Sequence, residues 1–236
     1  MLIIVYSFDT SADSRKFWLL WNGTDIALVR IGKPSGGTPS AAQIAQAIVA
    51  GFQSRCSYSA QISTNFDLDT HTGHEAKHLS EQTKFWEMIN VFCETLQNSQ
   101  WKSSGQSLLD LTTIMVISEF SRTPALNRAG GKDHNPLTNS VLLLGAGFKP
   151  GLTIGKSRVT KRLSGSSQHA ALKFDFESGN SIEKGVDVSM QKSTVITPAH
   201  VAKTLCEIFS VPSGYLDSDF EMSRTAPQVL SKLLKY

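Results

Sequence analysis

The stretch LTTIMVIS, residues 111–118, is nearly continuous in apolar and β-branched side chains. A strand with one wet face alternates apolar and polar residues, and a strand that does not alternate is covered on both faces. SVLLLGAG, residues 140–147, is a second run of this kind. Two such runs call for a sheet with a layer on each side, and helices are the usual layers.

The rest of the chain supplies them. Ser40 is placed to cap a helix over 41–53, in which Ile44, Ile48, Val49 and Phe52 recur at helical spacing. A longer helix runs from His74 to about Gln97, with Leu79, Trp86, Ile89, Cys93 and Leu96 as its apolar stripe. Thr197 and Pro198 open a third helix, over 198–209, as N-cap and first helical residue. Strands are expected at 2–8, 26–31 and 58–64, a loop at 33–40, and an irregular excursion or hairpin over 160–195. Strands alternating with helices predict an α/β fold with a mostly parallel sheet flanked by helices. At 236 residues a single domain, 1–236, is the simplest organisation.

Composition removes several functions. The chain is 40% hydrophobic with mixed charges, which describes a globular protein and not a disordered one. A formal net charge of +3 gives no argument for nucleic acid. Lys156, Arg158, Lys161 and Arg162 sit among Gly, Ser and Thr without aromatic residues and read as a solvated loop. GGTPS lacks the Gly-Lys-Ser/Thr ending of a phosphate loop. Cys56, Cys93 and Cys206 share no metal-ligand spacing, and Cys93 and Cys206 fall in apolar helical patterns that suit buried free thiols. The first residues carry neither a signal-peptide pattern nor a membrane span.

Charge gathers in two places. MVISEFSRTPALNRAGGKDHNPL, 115–137, follows a buried strand with Glu119 and Arg122 and reaches Asp133 and His134 in one glycine-broken loop. NFDLDTHTGHEAKH places Asp67, Asp69, His71 and His74 just after the strand expected at 58–64. Ligands of α/β sheets bind beyond the carboxyl ends of the strands, so both clusters are expected at one edge. Carboxylate with neutral imidazole is the donor set of zinc, manganese or iron. Two acid–histidine clusters favour a metal site. His78 is expected on a solvated helix face, His169 in a polar loop, and His200 exposed or hydrogen-bonded near a helix start.

FDLDTHTGH, VISEFSRTPALNRAGGKDHNP and LLLGAGFKPGLTIG resemble the signature blocks of a bacterial family, domain of unknown function 1501 (DUF1501). That family is grouped with the alkaline phosphatase and sulfatase superfamily. The resemblance covers about 40–215, with 1–39 divergent, and ITPAHVAKTLCEIFSVP resembles the family's closing helix. It implies an alkaline phosphatase-like core, incomplete here because family members carry a longer N-terminal half and are often exported. It also implies one or two divalent metals, zinc or manganese, with Asp69, His71, Glu119 and His134 as ligands. Asp133 joins them as the partner orienting His134. Arg122 would hold a phosphate or sulfate oxyanion, or else pair with Glu119 or Asp133. Ser121 replaces the family's usual glycine, Asn135 a common aromatic, and Leu68 adds spacing before the Asp-Thr-His block.

Two functions follow. One is a metal-dependent hydrolase of small-molecule phosphate or sulfate esters. The other is a non-catalytic binding or accessory domain that keeps the fold. The nucleophile separates them: no Ser or Thr after the N-terminal strand stands in a context that specifies one, although Ser7, Thr10 and Ser11 follow LIIVY with Asp9 between them. The isolated chain is expected to turn over little or not at all.

Overall fold

A computed structural model describes residues 40–55, 57, 59–63, 66–102, 104–161, 167–183, 195–211 and 227–235, and the backbone of 2–8. The strand expected at 26–31, the loop 33–39, Trp18, Trp21, Cys56, Arg162, Thr10 and Ser11 lie outside the described residues.

Contacts divide the chain into two compact units. The first comprises Met1–Arg122, Leu126–His134 and Asn139–Ala146. Its four-stranded sheet contains β1 (Leu2–Phe8), β2 (Ser59–Ser63), β3 (Thr112–Ser118) and, after two short strands, β6 (Val141–Gly145), in the order β2-β1-β3-β6. The two-residue strands β4 (Ser121–Arg122) and β5 (His134–Asn135) bracket the loop between β3 and β6. β1 is parallel to β2, with Ile4 opposite Ala60, and to β3, with Ile4 opposite Ile114.

β6 runs antiparallel to β3, with Ile117 opposite Val141, which corrects the expectation of a second parallel strand there. The reason is the connection. A parallel return needs a crossover of a dozen or more residues, usually a helix. The segment between β3 and β6 holds Pro124, Gly130, Gly131 and Pro136 and forms no helix. β6 is also only half-buried along its length, whereas Thr112, Thr113, Ile114 and Val116 of β3 are buried.

Helix α1 (Ala41–Gln53) starts as its sequence implies: Ser40 and Gln43 form a reciprocal capping box. It packs against α2 (His74–Gln97), and a short α3 (Leu108–Leu111) leads into β3. Ala45, Ile48, Val49 and Phe52 of α1 join Phe85, Met88, Ile89, Phe92 and Leu96 of α2 around Ile62, Leu108, Ile114 and Val116. Of the expected α2 stripe, Ile89 and Leu96 are buried and Cys93 packs against the core, but Leu79 and Trp86 lie outside it. Leu79 is 70% exposed and Trp86 49%, because residues spaced three and four apart from Phe85 occupy the inner face.

The second unit comprises Thr123–Ala125, Asn135–Thr138 and Gly147–Tyr236. It holds two antiparallel hairpins, β7 (Ser157–Lys161) with β8 (Ser167–Ala171) and β9 (Lys173–Asp175) with β10 (Asn180–Ile182). The residues expected as a solvated basic loop thus include a strand, and Lys156 pairs with Glu183 at 2.8 Å. Helix α4 (Pro198–Ile208) falls in this unit. Thr204 is buried on it, donates to the His200 carbonyl and accepts the Leu230 N–H at 2.9 Å.

His200 is buried, stacks on Phe176 at 4.4 Å and accepts the Thr197 N–H on Nδ1. Burial pushes its imidazole below the ordinary value, and protonation of Nδ1 would remove the acceptor of that cap. A lowered folded value means that the unfolded chain binds the proton first. This contribution to stability is whole above about pH 6.5 and is lost as the pH falls below that toward the folded value. Melting temperature should therefore fall more in the parent than in His200→Gln between about pH 7.5 and about pH 5.5, since glutamine keeps an acceptor at this capping position without titrating. Equal slopes would show that His200 carries no such linkage.

Candidate metal centre

β2 and β3 both run parallel to β1, so their carboxyl ends lie at one edge of the sheet. The segment after β2 carries Asp69 and His71, and the loop after β3 carries Arg122, Asp133 and His134. Thr70, between the first two, is fully buried, and its hydroxyl lies 2.6 Å from His74 Nδ1. Thr70 is thus anchored inward, while Asp69 and His71 on either side of it keep exposed side chains.

Backbone bonds stitch the two loops. Lys132 N–H donates to the Thr70 carbonyl at 2.8 Å, and His74 N–H to the Gly130 carbonyl at 2.9 Å. Gly131 is buried where a side chain has no room: a Cβ there would lie 1.9 Å from the carbonyl carbon and oxygen of His71. Asn127 completes the junction. Its carbonyl accepts the N–H groups of Ala129 and Gly131, both at 2.9 Å, and its amide donates to the His71 carbonyl at 3.1 Å and to Asp133 Oδ1 at 2.9 Å.

Three side chains with donor atoms suited to a metal converge on this edge: Asp69, His71 and His134. His71 Nε2 is 3.0 Å from His134 Nε2 and 3.2 Å from Asp69 Oδ1, and His134 Nε2 is 3.7 Å from the same oxygen. Atoms bound about 2.1 Å from one ion lie about 2.9–3.5 Å apart at bond angles of about 90–110°. Two edges fall in that range and the third lies just outside it. The residues fit a divalent ion, with two imidazoles and one carboxylate as the donors among the described residues.

Each ligand has its own support. Arg122 donates from Nη2 to Asp69 Oδ1 at 2.6 Å and from Nη1 to the Lys132 carbonyl at 3.1 Å. That bond holds the Asp69 carboxyl below the usual carboxylate range, ionised as a ligand must be. Arg122 was expected to pair with Glu119 or Asp133 if it did not hold an oxyanion, and it pairs with Asp69 instead. Asp133 Oδ1 lies 3.1 Å from His71 Nδ1, so it orients His71 and not His134. The Asn127 amide, and next His71, hold its carboxyl down as well. Phe120 packs against His134 with its ring tilted, centroids 4.0 Å apart, and lies beneath the Arg122 guanidinium at 5.6 Å.

Other expected residues stand apart. Glu119, expected as a ligand, is exposed on the bend after β3 and is not in the converging group. Its position follows from the chain turning at once into β4, which directs the loop, and not residue 119, toward Asp69. Asp67 is paired with Lys77 at 2.6 Å. His74 stacks on His78 at 4.4 Å, and burial first, then nearby cations, pushes both imidazoles below their ordinary value. His78 is thus half-buried with a buried Nδ1, not on a solvated face. His169 Nδ1 faces Ser157 Oγ at 3.4 Å on the β7–β8 hairpin. Phe120 and Asn127 were missed, although both stand inside the charged stretch; attention to charge passed over an aromatic and an amide.

Fold and site together describe a mixed α/β chain with a two-histidine, one-carboxylate centre built on two stitched loops. Residues 57–169, which contain that whole centre, match the model of a family described as "Protein of unknown function (DUF1501)". No curated protein and no solved structure matches the chain. Among the described residues no helix is long and apolar enough to cross a membrane.

Proposed function

We propose that this chain is a metal-dependent hydrolase-like protein acting on a small phosphate or sulfate ester, with zinc or manganese held by Asp69, His71 and His134. The observation that carries the reading is the triangle of ligating atoms with edges of 3.0, 3.2 and 3.7 Å. The alkaline phosphatase-like relationship rests on the sequence blocks around the same residues. A divalent ion bound there supplies Lewis-acid polarisation of an ester oxygen. Asp133 holds the His71 ring, Arg122 holds Asp69, and Phe120 holds the His134 ring.

Turnover by the isolated chain should be slow. Two of the five Arg122 N–H donors are taken by Asp69 and by a backbone carbonyl, which leaves fewer for an oxyanion, and preorganised oxyanion contacts supply much of the rate in such chemistry. Ser7 lies on β1, where the backbone alone is described, so no hydroxyl is assigned as nucleophile.

The test is hydrolysis of an aryl phosphate and an aryl sulfate with added zinc or manganese. Slow metal-dependent turnover is expected in the parent and in Glu119→Gln, and none in His134→Ala. Metal uptake without turnover on either ester would select the non-catalytic binding domain.

A further inference from the structure

The Asn127 side chain grips one ligand residue at both ends. One nitrogen, Nδ2, donates to the main-chain carbonyl of His71 and to Asp133 Oδ1. That same carboxylate oxygen faces Nδ1 of the His71 ring. The orientation of the amide is fixed by its other half, because Oδ1 accepts two backbone N–H groups and a flipped amide would turn donors against them. An ionised carboxylate only accepts, so the His71–Asp133 bond needs the proton on Nδ1. Nε2 is then a bare lone pair, and it is the atom that faces His134 and Asp69.

We propose that Asn127 is a positioning residue of the centre: by holding Asp133 against His71 it selects the Nδ1–H tautomer and leaves Nε2 free to ligate. Carboxylate–histidine pairs of this kind commonly set tautomer and ring orientation at metal sites. Asn127 adds the main-chain contact, so a movement of Asp133 and a movement of the His71 backbone are coupled through one amide. The ligation half of the inference rests on the metal reading above; the tautomer half does not.

The discriminating variant is Asn127→Asp. One oxygen of the new side chain still accepts from Ala129 and Gly131, so the turn is kept. The other would face the Asp133 carboxylate and the His71 carbonyl with no proton to give. Two readings are taken on the full chain. The first is the 15N resonance pattern of the His71 ring in metal-free protein, followed upward in pH until it no longer changes. The second is zinc affinity by calorimetry, with the ion alone as probe.

The parent should show the Nδ1–H form. Asn127→Asp should shift His71 toward the Nε2–H form and weaken zinc binding about 10–100-fold, with a melting temperature close to the parent's. An Nε2–H ring in the parent overturns the proposal, as does Asn127→Asp with parental tautomer and affinity. A parent that takes up no zinc refutes the metal reading, and the tautomer comparison still decides the role of Asn127. Should Asn127→Asp fail to fold, Asn127→Ala is read in the same way.

Discussion

Zinc at about a hundred times its dissociation constant should raise the melting temperature of the parent by about 5–11 °C, and His134→Ala should lose nearly all of that rise. The figure follows from linkage. An ion that binds only the folded state at that excess adds about 2.7 kcal/mol, and a chain of this size gains about 2–4 °C for each kcal/mol. His134 supplies one corner of the triangle and its side chain is 47% exposed, so its removal deletes a ligand with little damage to the core. Asp69→Ala should abolish the rise too, but it also strips Arg122 of its carboxylate partner and should lower the metal-free melting temperature. Glu119→Gln is the control and should keep the full rise. Loss of the zinc effect in Glu119→Gln with retention in His134→Ala would place the ion elsewhere.

Gly131→Ala should destabilise the chain by about 3 kcal/mol, at the upper end for overpacking, and lower the melting temperature by about 6–12 °C. The added carbon would lie 1.9 Å from backbone atoms of His71 and 2.4 Å from the Thr72 nitrogen. Backbone cannot swing aside as a side chain can, so the two loops must part. The Lys132–Thr70 and Asn127–His71 bonds part with them. Gly130→Ala is the matched comparison. Gly130 sits at φ +69° and a Cβ there would meet nothing within 4 Å, so only left-handed strain of about 1–2 kcal/mol applies. Thermal melts of the two variants check the pair, and zinc binding should survive in Gly130→Ala alone. Equal losses would mean that the close approach of Gly131 to His71 is not a constraint.

Local signals in the sequence carried most of the first unit. The capped start at Ser40, the long period of α2 and the β-branched run of β3 each depend on neighbours a few residues away, and each element forms where those signals lie. The meeting of Asp69 and His71 with His134 was also legible, because parallel strands bring their carboxyl ends to one edge. The direction of β6 was not read, although the helix-free connection before it carried the information. Ile89, Cys93 and Leu96 were read on the inner face of α2 correctly, and Leu79 and Trp86 were not, because they are apolar without being buried. The pairings of Arg122 with Asp69 and of Asp133 with His71 depend on how two distant loops are stacked. No spacing within either loop contains that.

The parallel run of β2 and β3 joins a local pair, Asp69 and His71, to a distant third corner, His134. His71 and His134 are 63 residues apart in the chain, and they meet only when the strands have taken their order. A denatured chain offers an ion only parts of the donor set, such as the neighbouring Asp69 and His71. Closing so long a loop around a metal before the sheet exists would add an entropy cost to a partial donor set. An ion bound here would therefore join at the end of folding and not at its beginning: it would prolong the life of the finished structure without guiding the chain toward it.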